Sequence, residues 1–181
     1  MLYNNRLKQA GSGFRLQKHG ASVRQSPAGV AASDRGGREV KIISRSEADT
    51  ERAGETLAGS LPGGSVVALY GGLGAGKTAF VRGMARGMGL SCRVSSPTFT
   101  IVNEYSGGDR ELLHFDMYRL GGAQELLDIG WDDYLARDAV CAVEWSENIE
   151  DVFDGSEVTV RIEKRSDTER EITIEGGGEA C

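Results

Sequence analysis

The chain has 181 residues, 39% hydrophobic and 27% charged, the balance of an ordinary globular domain with a core large enough to fold alone. No run of about 18 apolar residues is present, so no membrane-spanning helix is expected. The net charge of -6 is uneven: residues 1–36 carry six basic groups against Asp34, a net of +5, which leaves -11 on the remainder. An acidic body of that kind repels a phosphate backbone and disfavours direct nucleic-acid binding.

In chain order, residues 1–37 are rich in Gly, Ser, Ala, Gln and Arg, poor in large apolar groups, and predict a disordered basic tail. No amphipathic stripe marks a transit peptide, and no apolar stretch follows the N-terminus as in a secretory signal. An ordered domain is expected over 38–176, with a short flexible end over 177–181. Val40 to Ile43 read as a strand, and Ser46 with Asp49 as the capping box of a helix running to about Ser60. Pro62-Gly63-Gly64 is a turn, and Val66 to Tyr70 an unbroken apolar run suited to a buried parallel strand. A glycine-rich loop follows, then a helix from Lys77 to Met88 stopped by Gly89.

Beyond Ser95-Ser96-Pro97, the β-branched and aromatic stretch Thr98 to Tyr105 predicts a strand, and Gly107-Gly108-Asp109 a turn. Leu112 to Phe115 predicts a strand ending in Asp116, followed by helices at Ala123–Leu127 and Asp132–Ala136. Ala139 to Val143 predicts a third buried strand, ending in Glu144. Two alternating segments, Val158–Ile162 and Glu171–Ile174, flank the polar turn 165–169 and predict a C-terminal hairpin. The pattern is that of an α/β fold, P-loop NTPase-like: a mixed, mostly parallel sheet with helices on both faces.

Gly71-Gly72-Leu73-Gly74-Ala75-Gly76-Lys77-Thr78 satisfies G-x-x-x-x-G-K-[ST], between a buried strand and a helix as the motif requires. Glycines let successive backbone N–H groups turn inward on phosphate oxygens, and the helix presents its positive end to the same anion. Lys77 supplies charge to the β- and γ-phosphates, and Thr78 a hydroxyl to Mg²⁺. Asp116 and Glu144, each ending a buried strand, are expected at the carboxyl edge of the sheet beside the loop. One of them would hold the metal and the other position the attacking water; residue order alone leaves that division open.

No N-K-x-D segment for reading guanine is present, which favours ATP. His114 reads as a packed strand residue, Cys141 as a buried small hydrophobe, and Arg165 and Arg170 as solvated. Trp145 suits a core or surface position or contact with a nucleotide. Arg110, Arg119 and Arg137 are too scattered for a kinase lid. Three cysteines without a CxxC pair argue against zinc and fit a reducing compartment.

The loop together with Ser96-Pro97-Thr98-Phe99-Thr100, Asn103-Glu104-Tyr105, His114-Phe115-Asp116-Met117-Tyr118-Arg119-Leu120 and Glu144-Trp145 resembles the TsaE (YjeE) family from about Val40 to Ile174. That resemblance implies a cytoplasmic Mg²⁺-dependent ATPase of bacterial tRNA threonylcarbamoyladenosine synthesis. It would work with the TsaB–TsaD pair, which modifies adenosine 37 of tRNAs reading codons that begin with A. tRNA would then be met only through the complex. The resemblance places Thr50, Leu73, Gly74, Ala75, Gly76, Lys77, Thr78 and Thr98 at the nucleotide. It sets Thr78, Asp116 and Glu144 at the metal, with Lys77, Asp116 and Glu144 catalytic. Three positions depart from the family pattern: Gly72 for an aspartate, Ala79 for a threonine, and Ser146 for the proline after Glu144-Trp145. They put turnover in question and favour one alternative, a nucleotide-dependent switch with little hydrolysis; a small-molecule kinase, which would use the same loop, is a second.

Overall fold

The structure, a computed structural model, describes residues 39–176. The expected basic tail over 1–37 and the short segment over 177–181 lie outside the described residues. The strands are β1 (Val40–Ser44), β2 (Val66–Tyr70), β3 (Val102–Gly107), β4 (Arg110–Asp116), β5 (Val140–Glu144), β6 (Val158–Lys164) and β7 (Arg170–Glu175). The helices are α1 (Glu47–Ala58), α2 (Lys77–Gly87), α3 (Ala123–Asp128) and α4 (Trp131–Leu135), with short 3-10 turns at Ser146–Asn148 and Glu150–Val152.

The seven strands form one sheet in the order β1-β7-β6-β2-β5-β4-β3. Its centre, β6-β2-β5-β4, is parallel. Antiparallel pairs close both flanks, β4 with β3 on one side and β6 with β7 and β7 with β1 on the other. The fold class is therefore the mixed α/β sheet with a parallel core that the apolar runs imply.

Strand periodicity divides the core into two layers. Along β5, Val140 and Ala142 join the cluster beneath α1 and α2, with Phe80 and Met84. Cys141 and Val143 point the other way, into the cluster covered by α3 and α4. There Phe115 meets Trp131 and Tyr134 edge-on, each at 5.2 Å between ring centroids. A fully buried side chain such as Phe115 contributes about 1.5–3 kcal/mol of transfer free energy. Burial also pushes the Cys141 thiol up to about 12, so it sits in the core as a neutral apolar group.

The capping reading of Ser46 holds: its hydroxyl accepts from the Asp49 N–H at 3.1 Å. The Asp49 carboxylate returns to the N–H of Arg45 at 3.0 Å. α1 then lies against α2 with almost no side chain between their backbones at the crossing. A Cβ at Gly83 would stand 1.9 Å from the Glu51 carbonyl oxygen, and one at Gly54 2.1 Å from that of Phe80. Beside the glycines, Arg82 pairs with Glu47 and Glu51, and Arg86 with Glu51 and Glu55. These partly exposed pairs are each worth under about 1 kcal/mol. The glycines, not the ion pairs, set the spacing that brings α1 to the loop.

One expected element is corrected. The strand read from Thr98 begins only at Val102, and Thr98–Thr100 form a turn. Pro97 starts it, its carbonyl accepting from Thr100 N at 3.0 Å and Ile101 N at 2.7 Å. Ile101 is held at φ 68°, an outlier for a β-branched residue, so extended pairing cannot run through it. Its carbonyl receives the N–H of Asp116 at 3.0 Å, which ties the turn to the end of β4. Among the described residues no helix is long and apolar enough to cross a membrane.

Candidate nucleotide site

β2 ends at Tyr70 and the chain wraps through 71–76 into α2. Gly71 has φ 141°, and a Cβ there would meet the Ile162 carbonyl oxygen of β6 at 2.5 Å; only glycine fits against that strand. Gly76, at φ 114°, opens α2 with no side-chain cap, and no acidic residue occupies the first turn. The first N–H groups of α2 and its positive end thus face the loop interior, the arrangement that binds an anion. Leu73 stands at the loop tip, 88% exposed.

Lys77 is buried, and its Nζ donates to the carbonyls of Gly71 and, at 3.3 Å, Gly72. The same ammonium lies 3.8 Å from the centroid of Trp145. Burial holds Lys77 below the ordinary lysine value, opposed by the negative charges of Glu144, Glu147 and Asp116. Trp145, at φ 60°, turns out of β5 and stacks obliquely on Tyr118 at 4.9 Å. Trp145 is partly buried: it packs against the core layer under α3 and α4 and also borders the lysine.

The two strand-end acids are neighbours. β4 and β5 pair so that Asp116 is opposite Glu144, and β5 pairs with β2 so that Leu69 is opposite Glu144. Glu144 is therefore one strand from the loop and Asp116 two. Accordingly, Thr78 Oγ1 donates to Glu144 Oε1 at 2.8 Å. Asp116 instead takes Thr98 Oγ1 at 2.6 Å and Ser96 Oγ at 2.9 Å on Oδ2, with Tyr118 N at 3.0 Å on Oδ1.

A cleft of about 760 Å³ joins these groups, lined by the loop, Thr78, Thr98, Asp116, Glu144 and Trp145. Thr168 of the β6–β7 turn and Arg170, the first residue of β7, also line it. Arg170 thus borders the cleft, although its guanidinium also donates to the Asp167 carbonyl at 2.9 Å. Thr50 is buried at the cleft edge, its hydroxyl 2.7 Å from Ser44 Oγ and its methyl packed toward Gly76. Of the departures from the family pattern, Gly72 is exposed on the loop, and Ala79 is buried in the first turn of α2. Ser146 is buried and donates to the Val143 carbonyl at 2.9 Å, so it closes the end of β5.

Two participants were not legible as such. Ser96 reads as part of a loop, and only the turn after Pro97 brings its hydroxyl to Asp116. His114 reads as packing, yet its Nε2 lies 2.8 Å from Glu144 Oε1. The available signal was parity: His114 precedes Asp116 by two, so both share the sheet face toward α2.

The sheet, the loop and the two acids define a P-loop NTPase-like α/β protein. The model of the family described as "Threonylcarbamoyl adenosine biosynthesis protein TsaE" matches residues 44–172. Curated proteins named "tRNA threonylcarbamoyladenosine biosynthesis protein TsaE" are similar over much of their length. That of Treponema pallidum is 39% identical over 135 residues, 75% of this chain and 99% of its own. The Bacillus subtilis protein is 44% identical over 115 residues, 64% of this chain and 72% of its own. The crystal structure of Bacillus subtilis YdiB superposes with a TM-score of 0.67 at 34% identity, covering 78% of this chain and 88% of that one. The chain belongs to the TsaE family, of tRNA threonylcarbamoyladenosine biosynthesis.

Proposed function

We propose that the chain is a Mg²⁺-dependent ATPase. It supports the TsaB–TsaD pair, in the cytoplasm, as that pair forms N6-threonylcarbamoyladenosine at position 37 of tRNAs reading codons that begin with A. The observation that carries this reading is the convergence of Thr78, Glu144 and Asp116 at the mouth of an uncapped helix. TsaE family membership supplies the pathway.

The donor set fits magnesium. Thr78 offers a hydroxyl oxygen and Glu144 and Asp116 offer carboxylates, all hard ligands. Among the described residues no cluster of three or more His, Cys, Asp or Glu is gathered for a metal. Magnesium at a nucleotide takes one or two carboxylates, its remaining positions going to water and phosphate. Held by Thr78 and the carboxylates, it would supply positive charge against the negative charge that develops on the phosphates during transfer.

The chain's own groups divide the remaining work. Loop amides and the start of α2 hold the phosphates; Lys77 exchanges the carbonyls of Gly71 and Gly72 for phosphate oxygens. Thr78 donates its hydroxyl hydrogen to Glu144, which leaves its oxygen lone pairs free for a metal and supports Glu144 as the metal-side acid. Asp116, held by three donors, orients the attacking water and couples it to the Ser96–Thr98 turn. Thr50, Leu73, Gly74, Ala75 and Gly76 shape the surround of the nucleotide.

The test is phosphate release with and without the partner pair. Release above a Lys77→Ala control, and co-purification with the pair that depends on ATP, are expected. Release no greater than that control in either condition overturns the hydrolytic reading. Gly72 and Ala79 favour a competing reading, a switch with negligible turnover. That reading requires the pair's steady-state output to be indifferent to Glu144→Gln.

A further inference from the structure

Among the described residues, His114 Nδ1 is the one buried side-chain polar atom with no hydrogen-bond partner. The ring is fully buried, in β4, between Asn103 of β3 and Ala142 of β5. Packing alone does not account for it. Leucine would fill the same space without stranding a polar atom, which costs about 1–3 kcal/mol when buried.

The other ring nitrogen explains the residue. Nε2 stands 2.8 Å from Glu144 Oε1, the same oxygen that accepts from Thr78. A carboxylate oxygen accepts, so Nε2 carries the hydrogen, and in the neutral ring Nδ1 then holds the lone pair. An unmet acceptor is the more tolerable of the two orphans. The last torsion of a glutamate is broad and would let the carboxylate swing. Two donors on one oxygen, Thr78 from α2 and His114 from β4, fix the carboxylate plane, and Oε2 is the oxygen that neither engages.

We propose that His114 is a positioning residue: its Nε2–H, reaching up from the floor of the sheet, locks the Glu144 carboxylate in the orientation the cleft needs. The inference rests on the hydrolytic reading of that cleft. It assigns His114 no contact with nucleotide or metal. Thr78 has a second task at the metal position, so His114 is the partner of Glu144 with no other duty.

The test compares His114→Phe, His114→Asn and His114→Gln in the full chain with the partner pair, reading phosphate release and, separately, affinity for a non-hydrolysable ATP analogue. A glutamine amide nitrogen reaches as far as Nε2; an asparagine amide stops at the Nδ1 position. Phe and Asn should lower kcat by about tenfold or more with analogue affinity within about twofold, and Gln should recover most of the rate. Equal losses for Gln and Asn, or no loss for Phe, would overturn the proposal, because a packing role does not distinguish the two amides.

A second readout needs no turnover. In nucleotide-free protein, long-range proton–nitrogen spectra of the ring should show the hydrogen on Nε2. The chain has only two histidines, so a His19→Gln variant completes the assignment. A bare Nε2 would overturn the proposal. If the parent protein releases no more phosphate than Lys77→Ala, the hydrolytic reading falls while the spectrum still decides whether His114 holds Glu144.

Discussion

Thr78 and Glu144, 66 positions apart, are joined by a 2.8 Å hydrogen bond between the first turn of α2 and the end of β5. The bond exists because β5 is the sheet neighbour of β2, with Glu144 opposite Leu69. Asp116 lies one strand further out and is held by the turn after Pro97 instead. The two acids therefore sit side by side with different keepers, one the helix after the loop and the other the hydroxyls of Ser96 and Thr98.

Thr78→Val should keep the fold and lose metal-supported affinity. The substitution removes a hydrogen bond to a charged group, about 1.5–3 kcal/mol, but His114 still satisfies Glu144. ATP affinity in Mg²⁺ should fall by about tenfold or more, while affinity in chelator changes little. Calorimetric titration in the two buffers checks this; equal affinity of variant and parent in Mg²⁺ would contradict the role of the hydroxyl.

Thr98→Val removes the shorter of the two hydroxyl contacts to Asp116 and leaves that of Ser96. Phosphate release should drop by roughly tenfold, the equivalent of one charged hydrogen bond, with nucleotide affinity nearly unchanged. Single-turnover measurements separate the two; a loss confined to affinity would move Thr98 from the water side to the binding side.

Gly83→Ala sets two effects against each other. Alanine improves helix propensity by about 1 kcal/mol. The added Cβ, 1.9 Å from the Glu51 carbonyl oxygen, forces α1 and α2 apart. Overpacking of this kind costs about 1–3 kcal/mol or more, and here the obstacle is backbone, so destabilisation wins. Urea unfolding should show a lower midpoint, and nucleotide affinity should fall with it because Thr50 rides on α1 against Gly76.

Lys77→Met should abolish nucleotide binding without lowering thermal stability. Burial holds the lysine below its ordinary 10.5, so between its folded and unfolded values the unfolded chain binds the extra proton. Stability from this group is therefore least at neutral pH and grows as pH rises toward 10.5. The melting temperature of the parent relative to the methionine variant should climb as pH rises toward 10.5. A difference that falls over that range would show that the contacts of Nζ outweigh its burial.

Much of this molecule is written locally. The apolar run Val66–Tyr70, the capping serine at 46, the alternation at 158–162 and 171–174 and the loop motif each depend on neighbours in sequence, and each is found where those patterns put it. The exception is instructive: Thr98–Thr100 has strand propensity, but Pro97 and the tie of Ile101 to Asp116 turn the chain instead. Tertiary contact overrode a weak local preference there.

The sequence alone determined the phosphate loop, the helix behind it and two acids at strand ends, since glycine spacing and apolar periodicity act over a few residues. Only the tertiary structure decided which acid faces Thr78, that His114 reaches Glu144 and that the β6–β7 turn lines the cleft. Those facts depend on strand order and register, and these are set by packing between segments that no local pattern relates.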